Sequence, residues 1–154
     1  PAPAVSRELE GLSVLFVEDN AVNQMLACRL LGKLGIAVQV AAHGAEALQL
    51  LTQSRFDLVL MDCQMPVMDG YEATRRIRSG QAGQENRDLP VIALTANALA
   101  GDRDECLLAG MTDYLTKPLD PGKLKDALYR HGRKVGGSAD ETARGSRGDT
   151  AQVQ

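Results

Sequence analysis

Five short apolar runs alternate with five stretches of helical periodicity along this chain. The runs are 13–17, 37–41, 58–61, 90–94 and 113–116; the helical stretches are 21–34, 44–53, 71–78, 99–109 and 121–131. Such alternation argues for βαβ units with right-handed crossovers, and so for a parallel sheet with helices on both faces. Run 58–61, Leu-Val-Leu-Met, is short and unbroken, as expected of a strand buried on both sides. Gly35 and Gly110 stand where helices should stop, and Pro121 stands at a first turn. Residues 79–89 are rich in Gly, Gln and Asn and read as a loop. The fold expected is α/β, a doubly wound five-stranded parallel sheet over residues 9–133.

Composition narrows the class. The chain is 44% hydrophobic but only 3% aromatic, with no Trp, so its core is aliphatic. A net charge of −3 gives no basic footprint for nucleic acid. No apolar stretch approaches the ~20 residues of a membrane span, and the N-terminus has no signal-peptide pattern. The missing initiator Met points to a processed chain or a fragment of a longer one. Residues 1–8 are expected to be a linker and 134–154 a flexible tail, since 136–154 hold Val153 as their only large aliphatic residue. Cys28, Cys63 and Cys106 are odd in number, far apart in sequence and fit neither a zinc spacing nor a disulfide framework. They are expected to be reduced thiols of a cytoplasmic domain.

The chemistry-bearing residues stand at strand ends. Glu18 and Asp19 follow the first run, Asp62 the third, Thr95 the fourth, and Lys117-Pro118 the fifth. Ligands of a parallel α/β sheet bind beyond the carboxyl ends of its strands. Three carboxylates, one hydroxyl and one ammonium should therefore converge on one spot, a set suited to a divalent metal and a phosphoryl group. Taken singly, each has a plain reading: adjacent acids cap helices, Thr ends strands, and Lys-Pro closes a loop. The joint placement is what points to a site. Asp69-Gly70 is read as a turn into a helix. Asp102, Asp104 and Glu105 are read as a solvated helix face, and His43 and His131 receive no role.

These motifs carry a resemblance. Residues 14–20 (VLFVEDN), Asn23-Gln24, 61–70 (MDCQMPVMDG), 92–98 (IALTANA) and 110–119 (GMTDYLTKPL) resemble, in order, the receiver domains of two-component response regulators. They look most like the receiver of a hybrid sensor histidine kinase. The resemblance implies a flavodoxin-like strand order 2-1-3-4-5. It implies that Asp62 accepts a phosphoryl group, and that Glu18, Asp19, Asp62 and the Gln64 backbone carbonyl hold Mg²⁺, or Mn²⁺ in its place. It implies that Thr95 and Lys117 contact the phosphoryl group, that Thr95 and Tyr114 form the switch, and that the Lys117–Pro118 bond is cis. Gln64 and Asn97 fall where the family varies and are expected to tune the phosphoryl lifetime.

The implied partner is a histidine phosphotransfer domain or a histidine kinase core, with neither nucleic acid nor direct membrane contact. The implied location is cytoplasmic, tethered to the inner membrane if a parent kinase is. In segment 21–34, Ala27, Leu30, Leu31 and Leu34 make one core face, and Val22, Met25 and Leu26 widen it beyond what a helix on a sheet requires. Those three belong either to a deeply buried helix start or to a docking patch for the phosphodonor. Three rivals stand beside this reading. One is a stand-alone regulator whose phosphorylated face binds a target. Another is a degenerate receiver that only binds, which the complete residue set opposes. The third is a haloacid-dehalogenase-type phosphatase, which needs a second Asp two residues after its nucleophile; Ala21 stands there after Asp19.

Overall fold

The computed structural model describes residues 9–96 and 100–138. The whole of the expected linker, residues 97–99 (with Asn97) and the stretch from 139 onward lie outside them. The strands are β1 (Ser13–Val17), β2 (Ala37–Ala41), β3 (Leu58–Asp62), β4 (Val91–Thr95) and β5 (Asp113–Thr116). The helices are α1 (Ala21–Lys33), α2 (Gly44–Gln53), α3 (Gly70–Arg78), α4 (Ala100–Ala109) and α5 (Pro121–Ser138). All strands pair in parallel in the order β2-β1-β3-β4-β5.

Alternation along the inner strands feeds two cores. Leu15, Val17, Val59, Met61, Val91 and Ala93 face one side, toward Ala47, Leu51, Ala73, Ile77, Cys106 and Ala109 of α2–α4. Val14, Phe16, Leu58, Leu60, Ile92 and Leu94 face the other, toward Ala27 and Leu31 of α1 and Leu124 and Leu128 of α5. Every residue of β3 and β4 is buried, which explains why those runs carry no polar alternation. Full burial of each large aliphatic side chain contributes roughly 1.5–3 kcal/mol. The outer strand β2 is half open, with Ala37 and Gln39 exposed.

The caps are local and polar. The Asn20 side chain accepts from the Val22 and Asn23 amides at the start of α1, and Asp69 accepts from the Glu72 amide at the start of α3. Asp69 thus serves the turn into a helix expected of it. Gly110 takes a positive φ of 101° immediately after α4.

Four expectations of detail change. Asp62 and Thr95 are the last residues of their strands rather than the first beyond them. The buried face of α2, which helical spacing alone places at Ala45, Leu48 and Leu51, is centred on Gly44, Ala47 and Leu51, with Leu48 partly buried beside it. Its phase follows from Gly44, where a Cβ would lie 2.7 Å from the Met68 carbonyl oxygen, so only glycine admits this approach. The loop 79–89 contains a 3₁₀ turn (Gln84–Asn86), whose buried Asn86 amide donates to the Leu51 and Ala82 carbonyls. Finally, α5 runs to Ser138, past the expected helix end at 131. Glycine lowers helix propensity by about 1 kcal/mol without forbidding the helix.

Candidate functional site

The register sets the site. Val17 pairs with Met61, Asp62 with Leu94, and Thr95 with Thr116, so the strands end within about one residue of a common line. Glu18, Asp62, Thr95 and Lys117 therefore meet at the carboxyl edge of the sheet. The Lys117 ammonium lies 3.0 Å from Asp62 Oδ2 and 3.1 Å from Glu18 Oε1. Glu18, Asp62 and Thr95 are buried, and Asp19 is exposed. One oxygen each from Glu18, Asp19 and Asp62 lie within 4.8 Å of one another.

Backbone contacts hold this cluster in place. The Asn20 amide donates to Glu18 Oε2, and the Gln24 side-chain amide donates to the Glu18 carbonyl at 2.6 Å. The Gln64 amide donates to Asp62 Oδ1 at 3.2 Å. The Lys117 amide donates to the Thr95 carbonyl, fixing the start of the β5–α5 loop. The Lys117–Pro118 peptide bond is cis. A Cβ on Gly70 would collide with the Asp62 carbonyl oxygen, so glycine is what lets α3 begin against the strand end.

The electrostatics are unbalanced. Burial alone would pull the Lys117 pKa down, but hydrogen bonds and attraction to Asp62 and Glu18 outweigh it and raise the net value. One cation faces three carboxylates. Among the described residues, Glu18 Oε1 is buried without a well-formed hydrogen bond, and the Lys117 ammonium lies 3.1 Å from it. A buried carboxylate oxygen in that state is costly. A hard divalent cation fits this donor set: all donors are carboxylate oxygens, with no thiolate or imidazole among them.

Comparison with known proteins agrees with this geometry. The family model described as "Response regulator receiver domain" matches residues 14–129. The chain belongs to this family. Among curated relatives of the receiver domain, Sensor protein GacS of Pseudomonas syringae pv. syringae is 43% identical over 117 residues, covering 76% of this chain and 13% of the relative. Sensor histidine kinase RcsC of Escherichia coli K12 is 39% identical over 131 residues, covering 85% and 13%. The chain thus spans 13% of the length of each. The receiver domain of sensor histidine kinase PA1611 from Pseudomonas aeruginosa PAO1 was solved with a magnesium ion coordinated in its active-site cleft. It shares 48% identity at a TM-score of 0.72, over 79% of this chain and 97% of that one. The receiver domain of Ssk1, solved with the histidine phosphotransfer protein Ypd1 of Saccharomyces cerevisiae, belongs to a structure matched at 33% identity and a TM-score of 0.73, over 80% and 90%.

Around the receiver site, Tyr114 is half-buried against the α2–α4 core. Val22, Met25 and Leu26 are 60%, 53% and 52% exposed, which removes the reading of a buried helix start. Leu26 also borders a cleft of about 340 Å³, floored by Phe16, Leu94 and Leu119 and reaching Glu18 and Lys117. Asp104 and Glu105 are exposed, as a solvated helix face requires. Among the described residues, no helix is long and apolar enough to cross a membrane.

Several residues have structural roles that the sequence motifs did not assign to them. Gln24 and Gly70 position the acids, and His43, given no role, caps α2 by accepting from the Glu46 amide. Arg78 donates to the Arg87, Leu89 and Gly110 carbonyls, tying α3 to the segments entering β4 and β5. Cys63 and Cys106, far apart in sequence, touch in the fold. Burial pushes the Cys63 thiol up to about 12.

Proposed function

We propose that Asp62 accepts a phosphoryl group from a phosphohistidine, and that the acyl phosphate then shifts the domain between two states. The observation that carries this is the buried Asp62 carboxylate, 3.0 Å from the Lys117 ammonium and grouped with Glu18 and Asp19. A carboxylate has a reference pKa near ~3.9 and is ionised at neutral pH, so it attacks without a general base. One Asp62 oxygen bonds to phosphorus as the P–N bond breaks, and the imidazole leaves with the electron pair and takes up a proton. Lys117 then exchanges part of its carboxylate contact for a phosphoryl oxygen, as a point charge. The Thr95 hydroxyl donates to another. Glu18, Asp19, Asp62 and the Gln64 carbonyl would hold Mg²⁺, with Mn²⁺ as a substitute. When bound, the ion offsets charge between the anionic nucleophile and the anionic phosphoryl group. Water later attacks phosphorus and releases phosphate.

The donor is read as a histidine phosphotransfer domain or histidine kinase core. The Ypd1 complex of a similar receiver supports that class of partner, and the exposed Val22, Met25 and Leu26 beside the acids offer it an apolar seat. The sensor kinases among the relatives support a hybrid histidine kinase as the parent chain, and the receiver is read as acting in the cytoplasm. Residues 9–133 are read as the receiver unit. Incubation with a small phosphodonor and Mg²⁺ should add one phosphoryl mass, stable in acid and labile in base, and Asp62→Asn should abolish it. Undiminished labelling of the variant would contradict the assignment.

A further inference from the structure

The residue after the phosphoacceptor is a cysteine, and its sulfur does not sit alone. Cys63 Sγ lies 3.8 Å from Cys106 Sγ, and both side chains are buried. The two residues are 43 positions apart and come from different elements, the β3–α3 turn and the middle of α4. The Cys63 backbone is held twice: its amide donates to the Leu94 carbonyl at the end of β4, and its carbonyl accepts from the Gly70 amide at the start of α3. Cys106 lies on the buried face of α4 with Ala109. No zinc, iron or other metal-ligating side chain completes a set around the pair among the described residues.

We infer that Cys63 and Cys106 form a reversible modification site, a dithiol that a small peroxide oxidises to an intradomain disulfide tying α4 to the phosphoacceptor turn. Burial keeps both sulfurs as thiols at rest, so the reaction proceeds from a local opening of α4 that admits peroxide and water. One sulfur then releases its proton to that water and attacks the peroxide O–O bond, which breaks to leave a sulfenic acid and water. The second sulfur displaces the sulfenic hydroxyl, and its own proton leaves with that hydroxyl as a second water. Two thiols lose two hydrogens in all, and the peroxide is reduced to two waters. A dithiol reductant reverses the step by exchange. Sulfurs already in contact need only approach to a bond of about 2 Å. A cytoplasmic disulfide of this kind is transient and sensing rather than structural.

The tether joins the neighbour of Asp62 to a helix that packs on α3 and β5. A crosslink that favours one placement of α4 lowers the affinity of Asp62 for a phosphoryl group that favours another, and linkage makes the effect mutual. This consequence rests on the phosphoacceptor reading above; the disulfide itself does not.

The test has two arms. In the first, native protein is treated with hydrogen peroxide, denatured, alkylated and digested, with Cys28 as the internal reference. The expected product is a reducible peptide pair joining Cys63 to Cys106, absent from Cys106→Ser. Full alkylation of both at a dose that oxidises Cys28, or pairing of either with Cys28, overturns the site. In the second, oxidised and re-reduced protein are labelled with a small phosphodonor and Mg²⁺. Labelling should fall about tenfold on oxidation, recover with reductant, and not respond to peroxide in Cys106→Ser. Equal labelling of the oxidised and reduced wild type overturns the coupling. Failure of the reduced protein to label at all would strike the phosphoacceptor reading instead, leaving the peptide result to stand.

Discussion

Removing the Lys117 ammonium should deepen the electrostatic imbalance of the site, and Lys117→Met does this while keeping the length of the side chain. At an effective dielectric near 20, contacts of 3.0 and 3.1 Å correspond to about 5 kcal/mol of gross attraction each. Desolvation of the three groups cancels much of that. What remains after the substitution is two buried carboxylates with no counter-charge, and breaking a buried pair in this way costs about 3–5 kcal/mol. Lys117 is 28% exposed, so a net loss of about 2–4 kcal/mol is expected at neutral pH without divalent metal. The assay is urea unfolding in EDTA and in saturating Mg²⁺. A metal that binds the vacated carboxylates should recover most of the loss, giving the variant a larger Mg²⁺ gain than the wild type. The pH dependence has a definite sign. A folded pKa raised above the ordinary 10.5 means that the lysine's contribution is complete below that value. It is lost as pH rises through the folded value, so the difference between the proteins should vanish only in strong alkali. A variant within about 0.5 kcal/mol of wild type in EDTA, or a deficit that Mg²⁺ leaves intact, would refute the reasoning.

Two further outcomes are expected. For Asp113, burial alone would raise the pKa, but hydrogen bonds from His131, the Tyr114 amide and Arg130 bring the net value down. Its contribution is therefore full above the ordinary 3.8 and lost as pH falls through the lower folded value, so acid titrations of Asp113→Asn and wild type should converge only below that range; a constant gap down to the acid transition would speak against it. Thr95→Ala should keep Asp62 labelling but weaken the NMR shifts of Tyr114 on adding beryllofluoride, since one hydrogen bond to an anion, about 1.5–3 kcal/mol, supplies the bias; unchanged shifts at saturating mimic would break the Thr95–Tyr114 coupling.

The strand positions were legible because burial on both faces leaves nothing for a polar residue to do, so β3 and β4 read as unbroken apolar runs. The site was legible for a topological reason: in a parallel sheet, residues at successive strand ends become neighbours in space. The phase of α2 was not, because Gly44 is pulled inward by a backbone oxygen that belongs to another loop. Nor was the Cys63–Cys106 contact, which depends on how α4 settles against the β3–α3 turn. Val22, Met25 and Leu26 show the limit in one helix. Their apolarity was plain in the sequence, but whether they face the core or solvent depended on the rotation of α1 about Ala27 and Leu31.

The central claim is that the phosphoryl group goes to Asp62, and reductive trapping tests it at one residue. Protein labelled by a small phosphodonor with Mg²⁺ is treated with borohydride, which converts an acyl phosphate to the alcohol, and is then digested and sequenced by mass spectrometry. Homoserine at position 62 alone is the predicted result. Homoserine at Asp19, or 2-amino-5-hydroxypentanoic acid (the alcohol derived from glutamate) at Glu18, in place of homoserine at position 62, or a labelled protein that yields neither alcohol, would contradict the account.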